Sequence, residues 1–225
     1  MAQTSPTTIP ALLIIDMQKG MARPAAGARN NPQAEENIAR LLAAWRAAGA
    51  TVIHVRHMSR TPGSPFWPGQ DGAEFQPALA PLPAEHVMEK NVPDAFAASG
   101  LERWLRVRGI AALVITGVST NNSVEATARS AGNLGFTTRV VADACFCFAQ
   151  TDYAGVARRA DEVHAMSLAN LRGEYAEILD TAAALRLAGA APAVAAGGKA
   201  DEIPVKGRPT VMAQAGISTI GDDKM

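Results

Sequence analysis

The chain has 225 residues, 48% hydrophobic and 19% charged, which is enough apolar material for one filled core and excludes a disordered or fibrous polymer. Its 21 Lys and Arg balance its 21 Asp and Glu, so no net field favours nucleic acid or an anionic membrane, and a small-molecule partner is expected. No apolar run reaches the ~18 residues of a membrane span, Met1 to Pro10 lacks the layout of a secretory leader, and Cys145 and Cys147 flank Phe146 too closely for an ordinary disulfide; a cytoplasmic location is expected.

In chain order, Ala11 to Ile15 is an unbroken apolar run ending at Asp16, the pattern of a parallel strand buried on both faces. Asn31 and Pro32 read as the cap and first residue of a helix carrying Ile38, Leu41, Leu42 and Trp45, stopped at Gly49. Thr51 to Val55 is a second strand. Ser59 to Pro83 is then rich in Pro and Gly; so long a loop is usually functional or disordered, and Phe66 and Trp67 argue for a folded lid.

His86 to Glu89 reads as a short strand leading into Lys90, and Ser99 with Glu102 as the capping box of a helix bearing Leu101, Trp104, Leu105 and Val107. Ala112 to Ile115 is a buried strand followed by Thr116 and Gly117. A helix from near Asn122 or Ser123, a strand at Thr138 to Ala142, a long helix from Asp152 to Leu171, a strand at Tyr175 to Leu179 and a helical turn or two at Thr181 to Leu187 complete the pattern.

Strands alternating with helices predict an α/β fold: a doubly wound, mostly parallel six-stranded sheet with helices on both faces. Ligands of such sheets bind at the carboxyl ends of the strands, where Asp16 and the Gly117 to Ser123 turn both lie. Residues 1–187 form the expected domain. From 188 to 225 the composition shifts to Ala, Gly and Pro, a tail expected to serve as an arm across a neighbouring subunit.

The segment from Gly117 to Arg129 runs from a strand through a tight turn into a helix, aiming free N–H groups and one side chain at a single point. A nucleophile at position 123 would attack a carbonyl there while the turn holds the developing negative charge.

Three motifs, Leu13-Ile14-Ile15-Asp16-Met17-Gln18, Glu89-Lys90-Asn91, and Gly117-Val118-Ser119-Thr120-Asn121-Asn122-Ser123-Val124 with Thr127-Ala128-Arg129 downstream, resemble those of the isochorismatase-like cysteine hydrolases over residues 10–187. The resemblance implies a catalytic triad of Asp16 as general base, Lys90 as its charged partner and the residue at 123 as nucleophile. It also implies a cis peptide at Val118–Ser119 and an oxyanion hole from the N–H groups of Ser119 and residue 123. The family has cysteine at the nucleophile position, and this chain has Ser123. A serine hydroxyl is the weaker nucleophile, so the favoured expectation is a Cys-to-Ser variant that holds substrate without turnover. A natural serine with altered chemistry, and an Asp-driven enzyme or pseudoenzyme, stand as alternatives.

His54 and His57 lie three apart at a strand end, but the Asp-x-His metal signature of the nicotinamidase relatives is absent, so both are read as structural or substrate-facing, with no metal and no cofactor expected. His164 is read as a packed or capped helix residue, Arg129 as structural, and the cysteines as packing. Phe66, Trp67, Phe96, Asn122 and Gln18 are the substrate-binding candidates. In its cysteine form the chain is expected to hydrolyse a carbon–nitrogen bond in a small linear amide or ureide, as a homo-oligomer, dimer or tetramer. The rival readings are isochorismatase-type vinyl ether hydrolysis using Asp16 without a cysteine, and a non-catalytic binding homologue.

Overall fold

A computed structural model describes residues 9–23 and 26–189. The strands and helices are β1 (Ala11–Ile15), α1 (Ala34–Ala47), β2 (Val52–His57), β3 (His86–Lys90), α2 (Leu101–Val107), β4 (Ala112–Val118), α3 (Glu125–Asn133), β5 (Thr137–Phe146), β6 (Gln150–Thr151), β7 (Ala157–Arg158), α4 (Ala160–Leu171), β8 (Glu177–Leu179) and α5 (Thr181–Leu187). Six strands form one sheet in the order β3-β2-β1-β4-β5-β8, every pairing parallel. The expected α/β, doubly wound fold is therefore the one observed. The tail expected over 188–225 lies outside the described residues from 190 onward.

All five residues of β1 are buried. Because successive side chains leave a strand on opposite faces, Leu13 and Ile15 pack under α2 and α3 with Leu101, Leu105, Val124 and Ala128. Leu12 and Ile14 pack under α1 and α5 with Ile38, Leu41, Trp45 and Leu185. A central strand with cores on both faces cannot alternate polar and apolar residues, which explains the unbroken run. The order of the sheet reverses at β1 and β4, which grow outward in opposite directions, and a crevice forms at their carboxyl ends.

Several elements differ from their sequence expectation for identifiable reasons. Asn31 does not cap α1: with φ of 43° it donates its side-chain amide to Ala142 O and Cys145 O, tying the loop to β5. Ser99 and Glu102 form no capping box. The Ser99 hydroxyl accepts from Leu101 N and donates to Ala95 O, while Glu102 pairs with Arg106. The helix expected from Asp152 starts at Ala160, because the Asp152 carboxylate binds Ala154 N and Val156 N in a tight turn and closes the β6–β7 hairpin. Strand β5 runs on through Cys145 and Phe146, so the cysteine segment begins inside the sheet rather than after it.

The loop after β2 is folded. Its second half holds two short turns, Asp71–Ala73 and Pro77–Leu79, pinned to the segment after β1 by Lys19 N to Glu74 O at 2.8 Å and Gln76 N to Met17 O at 3.1 Å. Its first half closes through Ser59 N to Phe66 O at 2.9 Å. No helix among the described residues is long and apolar enough to cross a membrane.

Candidate active site

Strand β1 ends at Asp16, whose φ of 52° bends the backbone out of the sheet while its N–H still donates to Val55 O on β2. Beside it, Gly117 has φ of +121°, and a Cβ there would lie 2.1 Å from Ile15 O, so only glycine lets the ends of β4 and β1 approach backbone to backbone. The peptide Val118–Ser119 that follows is cis, as the resemblance implied. One π-helical turn, Thr120–Val124, then leads into α3. It includes position 123, so the regular α-helix begins at Glu125, two or three residues later than expected.

Lys90 arrives from β3, separated from β1 by β2, a gap of two inter-strand spacings of ~4.8 Å each. Only a long side chain crosses it. Lys90 Nζ donates to Asp16 Oδ2 at 2.7 Å and to Ser123 Oγ at 3.2 Å, so three residues from three strand ends converge. The lysine and aspartate side chains are 0% and 1% exposed, and Ser123 is also buried. Burial raises the Asp16 pKa above the ordinary carboxylate value, outweighing the opposing pull of the Lys90 ammonium. Asp16 Oδ1, also buried, has no hydrogen-bond partner among the described residues.

The turn is held from behind by α4. His164 Nδ1 shares a hydrogen bond of 2.9 Å with Thr120 Oγ1, and Ser167 Oγ bonds Thr120 O at 3.0 Å and Glu125 Oε2 at 2.7 Å. His164 is thus a packed helix residue, as read. Ser167 and Thr120 were missed, although Ala160, His164, Ser167 and Leu171 form one buried stripe at helical spacing, and polar groups inside such a stripe need partners. Ser119 O accepts from Asn122 N and Val124 N, which fixes the turn around Ser123.

The other candidates scatter. Gln18 is buried and donates to His57 O and Ala73 O while accepting from His57 N, so backbone partners take its amide and it struts the loop after β2. Phe66 packs over Gly20 and edge-on to the His57 ring, and with Met21, Arg23, Pro65 and Phe148 it lines an open cleft of about 360 Å³. Trp67 is half-buried in the same loop. The Phe96 ring is half-buried and packs 5.7 Å from Phe136, against the core beneath α2 and α3. Asn122 is exposed beside Ser123. A larger cavity of about 540 Å³ borders Asn121, Glu125 and α4; neither it nor the cleft at Phe66 is lined by Asp16, Lys90 or Ser123.

Neither cysteine can replace Ser123. Both are free and buried, and burial raises both thiol pKa values, that of Cys147 to about 11. Among the described residues no three His, Cys, Asp or Glu side chains gather as metal ligands. His54 is buried in β2 and bonds Glu85 at 3.0 Å, and Glu85 in turn binds Arg46 through both oxygens. Arg129 pairs with Glu125 and lies over the Tyr175 ring.

Comparison with known proteins adds a lineage to this geometry. A model of the isochorismatase domain matches residues 10–183. The isochorismatase family protein YrdC of Bacillus subtilis is 39% identical over 171 residues, which cover 76% of this chain and 91% of that one. The maleamate amidohydrolase of Pseudomonas putida is 29% identical over 76% of this chain and 82% of its own. A crystal structure of an isochorismatase-family protein from Chromobacterium violaceum is 50% identical, covers 84% of this chain and 97% of its own, and superposes with a TM-score of 0.79. With the matched domain spanning the whole described sheet and the Asp16, Lys90 and Ser123 cluster at its edge, the chain belongs to the isochorismatase family of hydrolases.

Proposed function

We propose that this hydrolase acts on the carbon–nitrogen bond of a small linear amide or ureide, with residue 123 as nucleophile, Asp16 as general base and Lys90 as the charged partner of both. The observation that carries the reading is the buried contact of Lys90 with Asp16 and Ser123, together with an Asp16 Oδ1 free to take a proton. An amidohydrolase among the relatives supports the same bond class.

With cysteine at 123, Asp16 takes the thiol proton and the thiolate attacks the carbonyl. The N–H groups of Ser119 and residue 123 hold the oxyanion. Asp16 then returns the proton to the departing ammonia or amine, and later activates the water that hydrolyses the acyl-enzyme. Serine at 123 keeps the pocket and the oxyanion donors but lacks an easily formed anion, so this chain binds substrate and turns it over slowly.

A second reading draws on the raised pKa of Asp16. A carboxyl whose proton burial makes harder to lose can serve as a general acid, and protonation of a vinyl ether needs no nucleophile at 123. One experiment separates the readings: ammonia release from a panel of amides and ureides by the Ser123 protein and its Ser123→Cys variant, with isochorismate alongside. Ammonia from any member supports the amidohydrolase, pyruvate from isochorismate supports the second reading, and silence from both variants leaves a non-catalytic binding protein.

A further inference from the structure

The inference rests on the amide or ureide reading above and narrows its substrate class. Strand β2 ends at His57, in register with Lys90 on β3. Ile53 and Val55 on β2, and Met88 on β3, pack into the core beneath α2 and α3. By the two-residue alternation of a strand, His57 and Lys90 leave the sheet on that same face, side by side.

The backbone of His57 is clamped by Gln18, which accepts His57 N at 2.8 Å and donates to His57 O at 2.9 Å. Its ring is edge-on to Phe66 at 6.2 Å, and the residue is only partly buried. Whereas the rings of His54 and His164 bond Glu85 and Thr120, that of His57 bonds nothing among the described residues. Burial and then the Lys90 ammonium hold its pKa below the ordinary histidine value, so at neutral pH the imidazole is uncharged, with one N–H to give and one lone pair to accept.

That lone pair meets a need the rest of the site leaves open. Lys90 and the turn N–H groups only donate, and Asp16 Oδ1 is committed to taking the nucleophile's proton and returning it to the leaving group. A simple carboxamide has N–H groups on one flank of its carbonyl and carbon on the other; a ureide has N–H groups on both. We propose that His57 determines specificity by accepting a hydrogen bond from the second N–H of a ureido substrate, with Phe66 covering the contact, so that ureides are preferred over carboxamides of the same shape.

Propylurea and pentanamide test this, since they differ only by NH in place of CH2 beside the carbonyl. Calorimetric titration of the Ser123 protein, His57→Phe and His57→Gln with each compound is the measurement. His57→Phe keeps a ring against Phe66 and removes both nitrogens, and His57→Gln restores an acceptor. The expected result is about a tenfold preference of the parent for propylurea, the size of one hydrogen bond. His57→Phe loses that preference with pentanamide affinity within about threefold, and His57→Gln regains part of it. A parent without the preference, or a His57→Phe protein that keeps it, overturns the role of His57 while the amide reading stands. A parent that binds neither compound overturns that reading, and this inference with it.

Discussion

Lys90 and Asp16 form an ion pair closed to water on both sides, 2.7 Å from nitrogen to oxygen with side chains 0% and 1% exposed. Such a pair adds little net stability over well-packed apolar residues, but removing one partner strands a buried charge at a cost of about 3–5 kcal/mol. Lys90→Met is therefore expected to lower unfolding stability by about 3 kcal/mol in urea titrations and to abolish turnover in a Ser123→Cys background. Adding Asp16→Asn recovers most of the stability and none of the activity. A double variant no more stable than the single one would place the loss in packing instead of charge.

Ser123→Cys creates the one thiol placed beside a carboxylate and an ammonium. Native protein exposed to iodoacetamide is expected to take a single label at position 123 in that variant and none in the parent, because burial keeps Cys145 and Cys147 protonated and covered. Intact mass reads the outcome, and labelling of the parent at comparable speed refutes it.

Gly117→Ala tests the close approach of β4 and β1. A methyl group 2.1 Å from Ile15 O, on a backbone with φ of +121°, forces the two strand ends apart. Loss of at least about 3 kcal/mol, or failure to accumulate as folded protein, is expected; an unchanged melting temperature contradicts it.

Ser167→Ala removes two bonds behind the turn bearing Ser123, to Thr120 O and Glu125 Oε2, without touching Asp16, Lys90 or Ser123. In the Ser123→Cys enzyme kcat is expected to fall about tenfold with KM changed by less than about twofold, since a displaced nucleophile costs the transition state more than substrate binding. Ser167→Thr, which keeps the hydroxyl, returns part of the rate, whereas a purely structural role shifts stability and leaves kcat alone.

Glu85 offers a pH test away from the site. Burial pushes its pKa up, but the Arg46 guanidinium, the Leu82 N–H and His54 outweigh that and bring it down from 4.5 to about 2. A carboxylate with a depressed folded pKa stabilises above its unfolded value and loses that contribution as pH falls through the folded one. The melting-temperature gap between the parent and Glu85→Gln should be full above about pH 5 and shrink between 4.5 and 2. A gap independent of pH excludes the ionic origin.

Part of the site was legible where an unbroken apolar run stops at a single polar residue at a strand end. Ala11–Ile15 then Asp16 is such a boundary; β3, whose residues before Lys90 alternate between half-buried and exposed, shows no such boundary, and Lys90 was legible through its Glu89-Lys90-Asn91 motif. Elements that failed did so where a side chain found a backbone partner far away or in a turn. Asn31 bonds β5, more than 100 residues on, and Asp152 binds its own hairpin; neither preference is visible in hydrophobic spacing. Gln18 is the sharpest case: beside Asp16 in sequence it reads as a substrate contact, but folding turns its amide onto His57 and Ala73.

The order of apolar runs and turn residues determined by itself that this chain forms a parallel α/β sheet, because local periodicity records which faces are buried. Which strand ends meet was decided only by the tertiary structure, in which Lys90 reaches across β2 to Asp16 and α4 presses His164 and Ser167 against the turn bearing Ser123. The physical reason is that these contacts join groups 33 to 74 residues apart. Their distances are fixed by strand order and helix packing, which spacing along the chain does not encode.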